Sequence, residues 1–260
     1  MTHDIALVTG AASGIGRAIA LLQASAGRAV ALVDRDETGL RKAADEARAL
    51  GAPEVAAIPA DVGSESAVTE GFRHCREALG VPTRVVAGAG IEISVKAHET
   101  GLADWERVIG TNLTGTFLTC REAIRLLLEH ELTGSLVCVS SPSAVIGFGG
   151  GANSAYGSSK GGISALVRAL AIDYAAAGIR VNGVIPGATA TPLLDVVSPD
   201  AEGPDTIAAR AKRQIPLGRL ARPEEIAEAV DWLLGPRASY MTGSHLHVDG
   251  GLTARSANDF

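Results

Sequence analysis

A tyrosine and a lysine four residues apart are the side chains in this sequence best suited to catalysis. Tyr156 and Lys160 begin an apolar-periodic segment that predicts a helix over residues 154–177, with both side chains on one face. At an effective dielectric of about 20, an ammonium about 4 Å away stabilises a phenolate by roughly 4 kcal/mol, or about three pKa units. The pair therefore predicts a general base that works near neutral pH, although helices also carry this spacing by chance.

The length and composition of the chain fit one globular domain and give no reason to expect a membrane span. Its 260 residues, 47% hydrophobic and 20% charged, suffice for one substantial core, and no apolar run is long enough to span a membrane. The N-terminus lacks the basic region of a signal peptide, and Cys75, Cys120 and Cys138 fit reduced thiols, so we expect a cytoplasmic protein. A net charge of −6 gives no reason to expect nucleic acid or anionic membrane as partners.

Short apolar runs alternate with longer amphipathic segments along the chain. The short runs predict strands at residues 5–8, 29–33, 55–58, 84–87, 135–139, 180–185 and 246–248. The longer segments predict helices at residues 14–26, 37–50, 65–79, 102–129, 154–177 and 223–234. This alternation is typical of one doubly wound α/β domain over residues 1–260, a seven-stranded parallel sheet with helices on both faces. Only residues 187–222 form a long stretch without clear periodicity, and such stretches are often functional lids.

Small residues follow the first predicted strand, where the chain turns into a helix. Gly10, Gly14 and Gly16 would let the backbone turn tightly and approach a diphosphate at the helix N-terminus, with Ser13 and Ile15 in the same turn. The spacing G-xxx-G-x-G differs from the general G-x-G-xx-G fingerprint, and glycines at any strand–helix turn could serve the same purpose. The turn thus indicates a dinucleotide site only in combination with other features.

A carboxylate ends the second predicted strand. Asp34 would accept hydrogen bonds from the hydroxyls of an adenosine ribose and repel a 2′-phosphate, which favours NAD over NADP. Arg35 weakens that inference because an arginine can pair with such a phosphate. Alternatively, Asp34 is a solvated turn residue.

Five ordered motifs resemble those of the classical short-chain dehydrogenase/reductase family over nearly the full length of the chain. They are T-G-xxx-G-x-G at residues 9–16, Asp61-Val62, N-x-x-G at residues 112–115, Y-xxx-K at residues 156–160, and Pro186-Gly187 with Thr191. Val248-Asp249-Gly250-Gly251 also resembles the family's last strand and turn. The resemblance implies a Rossmann-type fold, a homotetramer, and hydride transfer between a nicotinamide and a carbinol or carbonyl carbon.

The resemblance also implies catalytic roles. Tyr156 would take the hydroxyl proton, a serine would hold the substrate oxygen, and Lys160 would bond the nicotinamide ribose and lower the pKa of Tyr156. Asn112 would connect Lys160 to solvent through a water molecule, or would bend its helix, and these two roles are compatible.

Cofactor contacts follow from the same motifs. The resemblance implies that Asp61 and Val62 meet the adenine ring and that Gly90 borders the cofactor. It also implies that Pro186, Gly187 and Thr191, within residues 185–191, hold the carboxamide edge.

Two departures from the family pattern concern the strand ends. Ala87-Gly88-Ala89-Gly90 stands where the family has N-N-A-G, which predicts reduced local rigidity. The family's spacing to the tyrosine would select Ser143 as the catalytic serine, whereas the strand end and Gly147 select Ser141. We choose Ser141 and keep Ser143 as the alternative, because the glycine-rich stretch at residues 149–153 can absorb a two-residue insertion.

The substrate is the least determined feature. We expect the cleft wall to have two parts: the polar residues Glu92, Ser94, Lys96 and His98, and residues 187–222. Only 3% of the residues in the chain are aromatic. This favours a small polar secondary alcohol or ketone such as a sugar, polyol or hydroxy acid. The alternatives are an NADPH-dependent 3-oxoacyl-(acyl-carrier) reductase and a nucleotide-sensing binding protein without turnover.

Two further sets of residues predict no site. His245 and His247 alternate along the last strand, but no cysteine or third histidine clusters with them, so we expect no metal. The basic residues Arg210, Lys212 and Arg213 are interpreted as a solvated helix face.

Overall fold

The computed structural model describes residues 4–197 and 206–255. Residues 1–3, 198–205 and 256–260 lie outside this description. The predicted 1–260 domain is therefore described except at its two ends and at residues 198–205, which belong to the predicted irregular stretch at residues 187–222.

One parallel sheet of seven strands, in the order β3-β2-β1-β4-β5-β6-β7, forms the centre of the described part. The strands are β1 (Ile5–Thr9), β2 (Ala29–Asp34), β3 (Val55–Pro59), β4 (Arg84–Ala87), β5 (Gly134–Val139), β6 (Ile179–Pro186) and β7 (His245–Val248). Each strand lies within one residue of its predicted bounds, and the predicted doubly wound α/β fold is confirmed.

Helices cover both faces of the sheet because successive strand residues point to opposite sides. In β1, Ile5 and Leu7 join one core with helices α3, α5 and α6, whereas Ala6 and Val8 join a second core with α1, α2 and α9. The helices in the described residues are α1 (Gly14–Ser25), α2 (Glu37–Ala49), α3 (Glu65–Ala78), α4 (Leu102–Ile109), α5 (Gly115–Glu129), α6 (Ser154–Tyr174), α7 (Pro192–Val197), α8 (Ile207–Gln214) and α9 (Pro223–Leu234).

The segment predicted as a helix over residues 102–129 is helical throughout, but it is not one uninterrupted α-helix. A π-helical turn, Gly110–Thr114, separates α4 from α5. Gly115 follows this turn and lies so close to Val62 that a Cβ there would stand 2.7 Å from Val62 Cγ2. Apolar periodicity extends through a widened turn of this kind, so the pattern could not reveal it.

The stretch predicted to lack periodicity contains two short helices within its described part, α7 and α8. The Thr206 hydroxyl caps α8 by accepting a hydrogen bond from the Ala209 N–H at 3.2 Å. Both helices are too short for a periodic signal to be read from sequence.

A crevice opens between β1 and β4. From β1 the chain adds β2 and β3 on one side of the sheet and then returns to add β4 to β7 on the other side. Such a reversal of strand order leaves a crevice at the carboxyl ends of the strands. Here the Thr9 hydroxyl accepts hydrogen bonds from the Gly88 and Ala89 N–H groups at 3.0 and 3.3 Å. Gly10 is also in close contact, since a Cβ on it would stand 2.9 Å from Ala89 Cα. These contacts hold the ends of β1 and β4 together, although the asparagines of the family pattern are absent. They therefore oppose the reduced rigidity that was expected at residues 87–90.

Candidate active site

A cleft of about 500 Å³ occupies the carboxyl ends of the strands at this crevice. Of the predicted site residues, Asn112 alone does not line it. Those that do are Gly10, Ser13, Gly14, Ile15, Gly16, Asp34, Arg35, Asp61, Val62, Gly90, Ser141, Tyr156, Lys160, Pro186, Gly187 and Thr191. Their roles stay predictions, but the fold does bring them together.

The glycine turn gives the cleft an uncapped helix N-terminus. Ser13 occupies the N-cap position of α1 without a side-chain cap, and no acidic residue lies in the first turn. A Cβ on Gly16 would stand 2.1 Å from the Gly10 carbonyl oxygen, so only glycine allows this close turn. The free N–H groups and the positive end of the helix dipole fit a dinucleotide diphosphate.

The Asp34 carboxylate is fixed by two backbone groups at the same end of the cleft. One oxygen accepts from the Ala12 N–H at 3.0 Å and the other from the Asp36 N–H at 3.0 Å. Asp34 therefore joins the end of β2 to the glycine turn, which a merely solvated turn residue would not do. Arg35 is exposed beside it.

Lys160 is buried beneath the opposite end of the cleft. Its side chain is 4% exposed, and its Nζ donates to the Val139 carbonyl at 2.9 Å. The ammonium lies 5.4 Å from the centroid of the Tyr156 ring. Burial lowers the pKa of Lys160 to about 8, an effect that the nearby Glu92 and Cys138 oppose.

The expectation that Lys160 lowers the pKa of Tyr156 is wrong for the chain by itself. Burial raises the pKa of the Tyr156 phenol, Glu92 raises it further, and a hydrogen bond with Ser141 opposes the rise. The sequence estimate treated two charges in a polar medium and omitted the cost of desolvating the phenolate.

The two candidate serines both line the cleft but differ in their partners. The Ser141 side chain interacts with the Tyr156 phenol and donates to Ser143 Oγ at 3.3 Å. Ser143 Oγ in turn accepts from Asn153 Nδ2 at 3.3 Å. This arrangement favours Ser141 as the group that shares a substrate oxygen with Tyr156.

Asn112 lies in the π-helical turn and is fully buried. Its Oδ1 accepts from the Ile91 N–H at 2.8 Å, and its Nδ2 donates to the Ile91 carbonyl at 2.9 Å and to Ser159 Oγ at 3.0 Å. These bonds hold the segment after β4 against α6. The predicted water link to Lys160 stays a prediction beside this structural role.

The substrate wall differs from the expected one. Glu92 and Ser94 line the cleft, but Lys96 and His98 do not. The wall also has an apolar part. Leu193 and Leu194 of α7 belong to the predicted stretch at residues 187–222, whereas Pro142 and Phe148 were missed because no motif marks them.

Neither a metal site nor a membrane span is found among the described residues. They include no cluster of three or more His, Cys, Asp or Glu side chains that could hold a metal ion. Within the same part of the chain, no helix is both long and apolar enough to cross a membrane.

The parallel sheet, the uncapped glycine turn at its crevice and the Ser141–Tyr156–Lys160 group together define a Rossmann-type oxidoreductase. A family model described as Enoyl-(Acyl carrier protein) reductase matches residues 10–253. The chain belongs to the short-chain dehydrogenase/reductase family, and it is an oxidoreductase that acts on CH–OH groups.

Individual relatives agree with this assignment. The chain is 42% identical to cis-4-hydroxycyclohexanecarboxylate dehydrogenase of Sinomonas cyclohexanicum, over 96% of each chain. It is 36% identical to glucose 1-dehydrogenase of Gluconobacter oxydans, over 95% of this chain and 91% of the other.

Solved structures show the same likeness. A short-chain type dehydrogenase/reductase from Mycobacterium marinum matches with a TM-score of 0.91 and 34% identity, over 97% of this chain and 96% of the other. A 3-ketoacyl-(acyl-carrier-protein) reductase from Brucella melitensis, complexed with NADH, matches with a TM-score of 0.84 and 31% identity, over 96% and 98%.

The contact of Ser141 with the phenol generates a first prediction. Ser141→Ala should reduce turnover by roughly 10²-fold or more, the usual cost of losing a polar group positioned for the transition state. Ser143→Ala is the matched control, and we expect it to have a small effect. Initial rates followed by nicotinamide absorbance measure both, and the opposite ranking would assign the catalytic role to Ser143.

A second prediction concerns pH. Besides Tyr156 and Lys160 themselves, two titratable groups act on this pair: Glu92 after β4 and Cys138 on β5. Since the negative charge of Glu92 disfavours the phenolate, Glu92→Gln should lower the pKa of Tyr156 and shift the rise of alcohol oxidation to lower pH.

The pH profile should be measured with a monofunctional alcohol, under conditions where a deuterium isotope effect shows that hydride transfer limits the rate. Glu99→Gln removes an exposed carboxylate from the same segment outside the cleft and should leave the profile unchanged. A profile that stays in place, or moves to higher pH, in Glu92→Gln would contradict the assignment.

Proposed function

We propose that this protein oxidises a small polar secondary alcohol to a ketone with NAD, or catalyses the reverse reduction. The observation that carries the proposal is that one cleft holds Ser141, Tyr156 and Lys160 at one end and the Asp34 carboxylate at the other. Both groups line the same cleft, so a dinucleotide bound there could meet Asp34 with its adenosine end and the acid–base residues with its nicotinamide end.

The residues that would hold the cofactor fit it chemically. The uncapped start of α1 suits the diphosphate, Asp34 the adenosine ribose, Asp61 and Val62 the adenine, and Thr191 the carboxamide end. When bound, the nicotinamide accepts or supplies the hydride. The NADH complex of the Brucella relative supports NAD as the cofactor.

The remaining steps belong to the chain. Tyr156 would take the carbinol proton and return it in the reverse direction. Ser141 would hold the same substrate oxygen by a hydrogen bond. Lys160 would bond the nicotinamide ribose, and its buried position beside the ring of Tyr156 keeps a positive charge next to the forming phenolate.

The names of the relatives support a hydroxyl-bearing substrate, since one is a hydroxycyclohexanecarboxylate dehydrogenase and another a glucose dehydrogenase. The second candidate is an NADPH-dependent 3-oxoacyl-(acyl-carrier) reductase. The likeness to the Brucella ketoacyl reductase supports its substrate, whereas the NADH in that complex does not support its cofactor. A nucleotide-sensing protein without turnover is disfavoured by the intact Ser141–Tyr156–Lys160 group.

We further propose a homo-oligomer, a tetramer by family resemblance, in the cytoplasm. Large apolar side chains on the surface, such as Ile172 and Tyr240, support association between copies of the chain. The cysteines Cys75, Cys120 and Cys138 are free and buried, which fits a reducing compartment.

The proposed function is tested with a panel of secondary alcohols, ketones and a 3-oxoacyl thioester, each assayed with both cofactors by nicotinamide absorbance. We expect oxidation of small polar alcohols with NAD. Exclusive reduction of the thioester with NADPH would assign the second candidate, and no turnover of any compound would favour the binding protein.

Asp34 generates a third prediction, on cofactor choice. NADP would lose one hydrogen bond to the carboxylate and bring a phosphate against it, two effects of about 1–3 kcal/mol each. We therefore expect kcat/KM to favour NAD by on the order of 10². In Asp34→Ala the preference should narrow or invert, because Arg35 becomes the dominant neighbour.

The ratio of kcat/KM values for the two cofactors is the measurement, since it cancels any general loosening of the glycine turn. Asp45→Ala, which removes an exposed carboxylate of α2 outside the cleft, is the control. Equal use of NAD and NADP by the unaltered enzyme would refute the role given to Asp34.

A further inference from the structure

Glu92 is a carboxylate in the substrate part of the cleft that the mechanism above does not use. It lines the cleft and is partly buried, and burial raises its pKa. Its only hydrogen bond among the described residues comes from Ser94 Oγ at 3.5 Å. An ionised carboxylate can accept about four hydrogen bonds, so most of its capacity is unused at a place where water is restricted.

The position of Glu92 is fixed from both sides. The preceding residue, Ile91, forms two hydrogen bonds with the buried Asn112 side chain: its N–H donates to Oδ1, and its carbonyl accepts from Nδ2. Three residues further on, Val95 forms a parallel bridge with Asn153, just before α6. A carboxylate on a segment restrained in this way is preorganised to recognise a partner.

Glu92 also shares the cleft with the reacting groups. It lines the same cleft as Tyr156 and Lys160, and a Cβ on Gly90, two residues before it, would stand 3.6 Å from Lys160 Nζ. The charges of Glu92 and Lys160 act on each other, and that of Glu92 also acts on Tyr156. A donor that reaches Glu92 therefore stands in the same cleft as the carbinol whose proton Tyr156 would remove. The other wall, with Phe148, Leu193 and Leu194, offers apolar surface for the carbon skeleton.

We propose that Glu92 is a specificity-determining residue that accepts a hydrogen bond from a second hydroxyl beside the reacting carbinol, so that the enzyme takes neutral vicinal diols and α-hydroxy ketones rather than hydroxy acids. This inference rests on the proposed function and narrows its substrate class. A carboxylate in place of the second hydroxyl would meet a like charge and could not donate.

Three ring alcohols of similar size test the proposal: cyclohexanol, 1,2-cyclohexanediol (cis and trans) and 2-hydroxycyclohexanecarboxylate. The full-length enzyme is assayed with NAD, and kcat/KM is compared between substrates within each variant. Because the ratio is taken within a variant, any effect of Glu92 on the Tyr156 base cancels.

We expect the unaltered enzyme to prefer a diol over cyclohexanol by about 10-fold or more, and to use the hydroxy acid least. Glu92→Gln should reduce the diol-to-cyclohexanol ratio by about 10- to 100-fold, the scale of a hydrogen bond to a charged group, and should raise relative use of the acid. Glu92→Asp, which keeps the charge, should retain part of the preference. Glu99→Gln should behave as the unaltered enzyme, because Glu99 lies outside the cleft.

The same diol-to-cyclohexanol ratio in the unaltered enzyme and Glu92→Gln would overturn the role of Glu92, as would a preference of the unaltered enzyme for the acid. If Glu92→Gln fails to fold, as judged by circular dichroism, the proposal is tested by the order of the kcat/KM values of the three substrates with the unaltered enzyme. Turnover of cyclohexanol without any diol preference rejects only this inference. Failure of every alcohol and its ketone with both nicotinamides rejects the proposed function together with it.

Discussion

The burial of one lysine ammonium organises the catalytic end of this molecule. Lys160 is almost fully removed from solvent, and the carbonyl at the end of β5 accepts its hydrogen bond. Desolvation of a cation is costly unless fixed partners surround it, so the backbone of α6 has to be held in place. Ser140 does this by donating to the Lys160 carbonyl and by bonding to Ser164.

The π-helical turn provides the opposite support for α6. Asn112 donates to Ser159, one residue before the lysine, and Gly162 lets the helix approach so closely that a Cβ there would stand 2.7 Å from Leu113 Cδ2. The same Asn112 side chain holds Ile91. The buried Asn112 amide therefore couples the position of α6 to that of the substrate wall. The π-helical turn has this structural role because it carries Asn112.

Much of this arrangement could be predicted from sequence because parallel strands must end at one edge of their sheet. Once the apolar runs were interpreted as strands, the residues at their ends, from Gly10 and Asp34 to Ser141 and Pro186, had to meet in one cleft. The distinction between Ser141 and Ser143 depended on where β5 ends, which apolar periodicity indicates well. The π-helical turn and the apolar wall at Pro142 and Phe148 depend instead on contacts between distant segments, and no local pattern encodes those.

The direction of the Tyr156 pKa shift could not be predicted from spacing alone. The Tyr156–Lys160 spacing specifies an attractive interaction, but desolvation and the charge of Glu92 act in the opposite direction, and both depend on the folded surroundings. The spacing therefore identified the interacting pair, but not the sign of the net pKa shift of Tyr156.

The central claim is that Tyr156 is the group that moves the substrate proton, and Tyr156→Phe tests it most directly. The substitution removes one hydroxyl and keeps the ring beside Lys160, so NAD affinity, measured by fluorescence titration, should stay essentially unchanged. Turnover should fall by roughly 10²- to 10⁴-fold, the scale of general acid–base catalysis. Turnover close to that of the unaltered enzyme, with NAD still bound, would contradict the account.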